Sequence, residues 1–198
     1  MGTIFYIIGK SSSGKDTIFN YIRDKKDLGL VAITPYTTRP IRDGEEESVQ
    51  YHFVTNDEYL KLQKSGKVIE SRVYHTVHGD WTYFNVANED INLDENSYVA
   101  IGVLEAYLSF VEYFGDKKVV PVYVEVDDGE RLTRALEREK KNANPKYEEM
   151  CRRFLADQQD FSEDKIKEAG ISKSSRFVNN DLDVCIAEIV NYIRANNI

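Results

Sequence analysis

A chain of 198 residues, 41% apolar and 12% aromatic, is long enough to bury one α/β core with room for small inserted lobes, and too rich in aromatics for disorder. Its formal net charge of −8 opposes binding to a nucleic-acid backbone, so a phosphate-bearing ligand must be held by a local cluster of positive groups. No apolar run reaches the ~18 residues of a membrane span, and Cys151 and Cys185 form neither a metal-binding spacing nor a disulfide framework.

These exclusions predict free thiols, a cytoplasmic location and small-molecule partners, with no nucleic acid and no membrane, in a monomer or homodimer. Residues 3–8 form an apolar run too short for a signal peptide and rich in β-branched and aromatic residues, which reads as a strand. A Gly/Ser cluster follows, and then helical spacing from Thr17 to Ile22. Further strands are expected at 30–33, 98–103, 119–126 and 176–178. Helices are expected at 104–114, from 130 to about 167, and at 182–194. Strands alternating with helices imply a parallel sheet covered on both faces, because parallel neighbours need helical crossovers.

Residues 35–91 break that rhythm. They are polar and Tyr-rich, with a strand at 51–54, a short helix from Asn56 and a strand near 68–73, and read as an inserted, mainly antiparallel lobe. A second break, the charged run 139–146, contains Asn144-Pro145, which interrupts a helix. The expected organisation is one domain with a core of 1–34, 92–138 and 153–198, a lobe at 35–91 and a lid at 139–152.

Gly9-Lys10-Ser11-Ser12-Ser13-Gly14-Lys15 fits G-x-x-x-x-G-K, the phosphate loop. Glycines are needed where the backbone turns sharply against a polyphosphate, so that N–H groups and a helix N-terminus converge on anionic oxygens, with Lys15 on the β- and γ-phosphates. Its place between a strand and a helix is what the mechanism demands, whereas a flexible turn needs no such setting. The usual Ser or Thr after the lysine is replaced by Asp16, with Thr17 next. Either could hold Mg²⁺, or Asp16 could simply favour the helix terminus.

Thr37-Thr38-Arg39-Pro40-Ile41-Arg42-Asp43-Gly44-Glu45 and Tyr51-His52-Phe53 resemble the monophosphate-binding segment of guanylate kinases, T-T-R-x-x-R-x-G-E followed by Y-x-F. Val178-Asn179-Asn180-Asp181 is similar to the stretch beside that family's adenine site. The resemblance implies a P-loop three-layer α/β fold and transfer of the ATP γ-phosphoryl group to GMP or dGMP with Mg²⁺. It places Gly9, Lys10, Ser11, Ser12, Ser13, Gly14, Lys15, Asp16, Thr17 and Asn179 on ATP. Arg39, Arg42, Tyr51, Glu70 and Tyr83 fall on GMP, and Lys15, Arg138 and Arg153 on the transferring phosphoryl group. Arg forks and a phenol suit phosphate independently of any family, and a carboxylate at Glu70 suits the N1–H and amine of guanine. His52, His75 and His78 read as structural or surface residues.

Two departures bear on the acceptor. Pro35 stands where the family has a guanine-reading serine, and residues 98–103 carry no acid before Glu105. Another phosphorylated ribose compound is the alternative acceptor, and a non-catalytic protein-binding module the alternative class.

Overall fold

The computed structural model describes residues 2–42, 44–76, 79–87 and 91–197. Five parallel strands form the core sheet in the order β2-β7-β1-β8-β9: β1 Ile4–Ile8, β2 Leu30–Ala32, β7 Ser97–Gly102, β8 Val119–Glu125 and β9 Arg176–Val178. β1 is central, with Ile4 opposite both Tyr98 and Val119. Every residue of β1 is buried, as a strand covered on both faces must be.

The period of two along β1 divides the core. Ile4, Tyr6 and Ile8 pack with α3 (Leu104–Phe114), chiefly Leu104, Tyr107 and Phe110. Phe5 and Ile7 point the other way, against Ile18 and Ile22 of α1 (Lys15–Asp24) and Ile186, Ile189 and Ile193 of α7 (Leu182–Asn196). Each such side chain contributes roughly 1.5–3 kcal/mol by leaving water. Helices on both faces of a parallel sheet make the expected three-layer α/β fold. Cys151 is exposed, Cys185 is buried, and both are free thiols. No described helix is long and apolar enough to cross a membrane.

The helical pattern expected from 130 to about 167, with a break at the charged run 139–146, is three helices: α4 Asp128–Lys140, α5 Tyr147–Asp160 and α6 Glu163–Glu168. Pro145 lies in the gap between α4 and α5, where it cannot donate a helical hydrogen bond. The break after Asp160 has a tertiary cause. Phe161 is buried with its ring stacked on Tyr123 at 5.8 Å, and Ser162 caps α6 by accepting from the Lys165 amide.

The second sheet has the order β4-β3-β6-β5, from β3 Tyr36–Thr37, β4 His52–Phe53, β5 Val68–Thr76 and β6 Gly79–Val86. It is mixed, because β3 and β4 are parallel while β3–β6 and β5–β6 are antiparallel. One face is apolar: Phe84 and Val86 pack with Tyr59 of α2 (Asn56–Lys64), whose N-terminus carries a full capping box between Thr55 and Glu58. The other face is polar. A register shift between Val68 and Glu70 keeps Val68 opposite Val86 yet sets Glu70 opposite Asn85, and Arg72 follows opposite Tyr83. This β-bulge re-aims Glu70, as bulges beside functional sites commonly do.

Candidate active site

The loop 9–14 leaves the C-terminal end of β1 and feeds α1. Ser12 at φ 63° and Gly14 at φ 87° adopt the left-handed conformation, turning the chain so that its N–H groups curl inward. A Cβ on Gly9 would stand 2.7 Å from both Ser13 Oγ and the Val124 carbonyl oxygen, and one on Gly14 would collide with the Asn179 amide. Asn179 is buried and donates through Nδ2 to the Ser13 carbonyl at 2.8 Å. The hydroxyls of Ser12 and Ser13 are buried without a hydrogen-bond partner. Buried donors of this kind in a glycine-bounded turn suit the oxygens of a phosphate.

Lys15 opens α1 and its Nζ lies 3.1 Å from Asp16 Oδ2, while the Asp16 carboxylate is 79% exposed. Thr17 is exposed on the same first turn. Lys10 turns elsewhere, donating to Gln158 Oε1 at 2.9 Å beside Asp128 at 3.5 Å. The Ser11 amide donates to Asp157 Oδ2 at 2.7 Å. Arg131, only 1% exposed, donates to the Ser11 carbonyl at 3.0 Å and to Asp128 at 2.7 Å. Helices α4 and α5 therefore grip the outer strand of the loop through Asp128, Arg131, Asp157 and Gln158, none of which was read from the sequence.

On the polar face of the second sheet Arg39 is 3% exposed and donates to Glu45 through both terminal nitrogens, at 2.8 and 2.9 Å, and through Nε to the Tyr83 hydroxyl at 3.1 Å. Its guanidinium lies over the rings of Tyr51 and Phe53 at 5.6 and 5.5 Å. Arg39 holds the Glu45 carboxyl below the ordinary carboxylate range, aided by the Arg42 amide. Burial, reinforced by the neighbouring Tyr83, pushes the Tyr51 phenol upward, so it stays a neutral donor. Arg42 is exposed, its guanidinium 5.9 Å from the Trp81 ring.

Glu70 shares this face and is more deeply placed than its partner: its side chain is 6% exposed against 22% for Arg72. Arg72 donates to it through Nε at 3.0 Å and a terminal nitrogen at 3.4 Å, and Asn85 donates at 2.7 Å. Tyr36, which follows Pro35, packs on the apolar face, its ring tilted 30° against Phe84 at 5.3 Å.

Behind burial and the neighbouring Tyr83, which raise it, and Arg39, which lowers it, the Asp16 charge also pushes the Tyr51 phenol upward, and Tyr74 adds to the upward shift of Arg152 on α5, which Glu149 dominates. Arg138 and Arg153 line one pocket with Ser11 and Ser12. Arg153 donates to Glu149 at 2.8 Å, and Arg152 grips the same carboxylate twice. These arginines pull Glu149 down to about 2. His52 bonds with Ser48 and Glu47, and His75 pairs with Asp80 on the surface; His78 lies outside the described residues.

A central parallel strand delivering a glycine loop to a helix N-terminus, within a three-layer sandwich, is the architecture of P-loop nucleotide-binding proteins. The guanylate kinase family model matches residues 1–196, and the chain belongs to that family. The guanylate kinase of Anaplasma phagocytophilum is 28% identical over 137 residues, spanning 69% of this chain and 63% of that protein. That of Thermotoga maritima is 30% identical over 115 residues, 56% of this chain and 55% of its own length. The matched stretches thus span less than two thirds of these relatives. The crystal structure of the Anaplasma guanylate kinase superposes with a TM-score of 0.63 at 24% identity, over all of this chain and 87% of that one; this likeness concerns the fold.

Proposed function

We propose that the protein transfers the γ-phosphoryl group of ATP to GMP or dGMP, giving ADP and the nucleoside diphosphate, as a cytoplasmic enzyme. The observation that supports this reading is that the chain carries two kinds of phosphate holder: the glycine loop leading into Lys15, and the Arg39–Tyr51–Tyr83 cluster of the second sheet.

Loop amides and the α1 N-terminus cradle the donor phosphates, and Lys15 neutralises charge on the β- and γ-groups. Arg39, Arg42, Tyr51 and Tyr83 hold the acceptor phosphate, with Glu45 fixing the plane of Arg39. An acceptor oxygen forms the new bond to the γ-phosphorus as the bond to the β–γ bridging oxygen breaks, and that oxygen leaves on ADP. Little else is required of the protein, so positioning and charge stabilisation carry the rate. Arg138 and Arg153 meet the three equatorial oxygens as charge spreads over them.

Magnesium fits the residues present. The exposed Asp16 carboxylate and Thr17 hydroxyl are hard oxygen donors at the mouth of the loop, and Mg²⁺ is commonly held by one or two carboxylates together with substrate phosphates and water. Bound there, it would neutralise phosphate charge.

A coupled assay over a panel of nucleoside monophosphates tests the reading. GMP turnover that falls by two orders of magnitude or more in Lys15→Ala, with an unchanged melting temperature, is expected. Undiminished turnover in the mutant would overturn the loop assignment. The alternative acceptor, another phosphorylated ribose compound, is favoured by Pro35 and by the absence of any acid in β7, and would show as a substrate better than GMP.

A further inference from the structure

Building on the proposed acceptor, we infer that Arg72 is a specificity-determining residue and that the base site recognises 6-oxopurines as a class, hypoxanthine as well as guanine. A carboxylate offers about four lone-pair sites. At Glu70 three N–H donors already occupy them: Arg72 Nε on Oε2 at 3.0 Å, with an Arg72 terminal nitrogen and Asn85 Nδ2 on Oε1 at 3.4 and 2.7 Å. About one site remains, on Oε2. The Tyr6 hydroxyl is buried without a hydrogen-bond partner, and its phenol is pushed upward first by burial and then by the Glu70 carboxylate.

Guanine presents three groups in a row: the O6 acceptor, the N1–H and the 2-amine. A carboxylate free of other partners takes the last two together. Glu70 clasped by Arg72 and Asn85 takes only the N1–H, and the 2-amine meets no acceptor from it. Arg72 is the more exposed of the pair, so a base arriving from solvent meets its guanidinium. Two of its N–H groups go to Glu70, and those remaining can donate to O6, the contact for which Pro35 supplies no hydroxyl. The side-by-side donor and acceptor therefore match O6 and N1–H. Guanine and hypoxanthine share that edge, and adenine reverses it.

The experiment measures kcat/KM and equilibrium dissociation constants for GMP, IMP and AMP in the wild type, Arg72→Ala and Asn85→Ala. Wild-type GMP and IMP should fall within about tenfold of each other, with AMP at least tenfold worse, since one mismatched charge-assisted hydrogen bond is commonly worth ten- to a hundredfold. Arg72→Ala should weaken both 6-oxopurines yet raise the GMP-over-IMP ratio about tenfold, because Glu70 can then accept from the 2-amine. Asn85→Ala should move the ratio the same way by less, and serves if Arg72→Ala does not fold. A wild type preferring GMP over IMP by a hundredfold, or a ratio unmoved in the folded variants, would overturn the inference. Dissociation constants are read without ATP, so comparable GMP and IMP affinities without turnover would refute the kinase reading alone.

Discussion

Glu45 clasps Arg39 with two parallel hydrogen bonds of 2.8 and 2.9 Å while the guanidinium is 3% exposed. A fork held this way is already planar and aimed before an acceptor arrives, so ordering it adds little cost to binding. Glu45→Gln weakens the clasp and is expected to raise the KM for GMP about tenfold, with the KM for ATP nearly unchanged. Arg39→Ala should raise it further, because a charge-assisted contact is lost outright and Glu45 is left unpaired. Steady-state kinetics with each substrate varied in turn checks both. A rise confined to ATP would mean that the two phosphate sites are exchanged.

Asp16 separates two accounts of the first turn of α1. Its carboxylate is largely exposed and pairs with Lys15 at 3.1 Å. If it holds Mg²⁺, Asp16→Ser substitutes a neutral hydroxyl and shifts the Mg²⁺ midpoint of the reaction upward by several-fold. Titrating activity against Mg²⁺ at fixed total ATP checks this. An identical curve would leave Asp16 with only a favourable place near a helix N-terminus.

The phosphate loop was legible in the sequence because each glycine answers a backbone requirement. Gly14 takes φ 87° against Asn179, and Gly9 passes the Val124 carbonyl. The buried halves of β1 were legible for the related reason that apolar runs bounded by turns seldom do anything else. β6 was not, because Trp81 and Tyr83 stand on its polar face while Phe84 and Val86 stand on the apolar one. Aromatics on both faces erase the period of two. The Arg72–Glu70 pairing was hidden for want of a register: spacing of two implies a shared face only once the strand and its bulge are known. The grip of Arg131 and Asp157 on Ser11 joins residues 120 and 146 positions apart, and no local pattern encodes it.

Glu149 couples α5 to pH. Its ordinary carboxyl pKa of 4.5 is drawn down to about 2, first by the Arg152 hydrogen bonds and then by Arg153. A group whose folded pKa is depressed contributes stability that is full above its unfolded pKa and lost as pH falls through the folded value. The window here runs from about pH 4.5 down to about 2. Urea midpoints of the wild type and Glu149→Gln should therefore differ above pH 5 and converge as pH falls through that window, the difference shrinking at high salt because these side chains are partly exposed. A constant offset across the window would mean that the arginines do not act through this carboxylate.

The tether of the phosphate loop to α4 and α5 is the most demanding test of how the fold prepares the site. Arg131 is buried under Phe154, whose ring lies 4.7 Å from its guanidinium, and it joins Asp128, Asp157 and the Ser11 carbonyl in one cluster. Removing the cation leaves the mostly buried Asp157 carboxylate to the Ser11 amide, a change that commonly costs on the order of 3 kcal/mol. Arg131→Met keeps much of the side-chain volume, so most of its effect should be electrostatic. It is expected to lower the urea midpoint and also to raise the KM for ATP, because the outer strand of the loop loses its anchor while the GMP lobe is untouched. Asp157→Asn, which retains an acceptor for the Ser11 amide but sheds the negative charge, should lie between the wild type and Arg131→Met in both measurements. If Arg131→Met lost stability yet kept the ATP KM of the wild type, the cluster would be a brace for the helices alone, and the preorganisation of the loop would have to come from Gly9, Gly14 and Asn179.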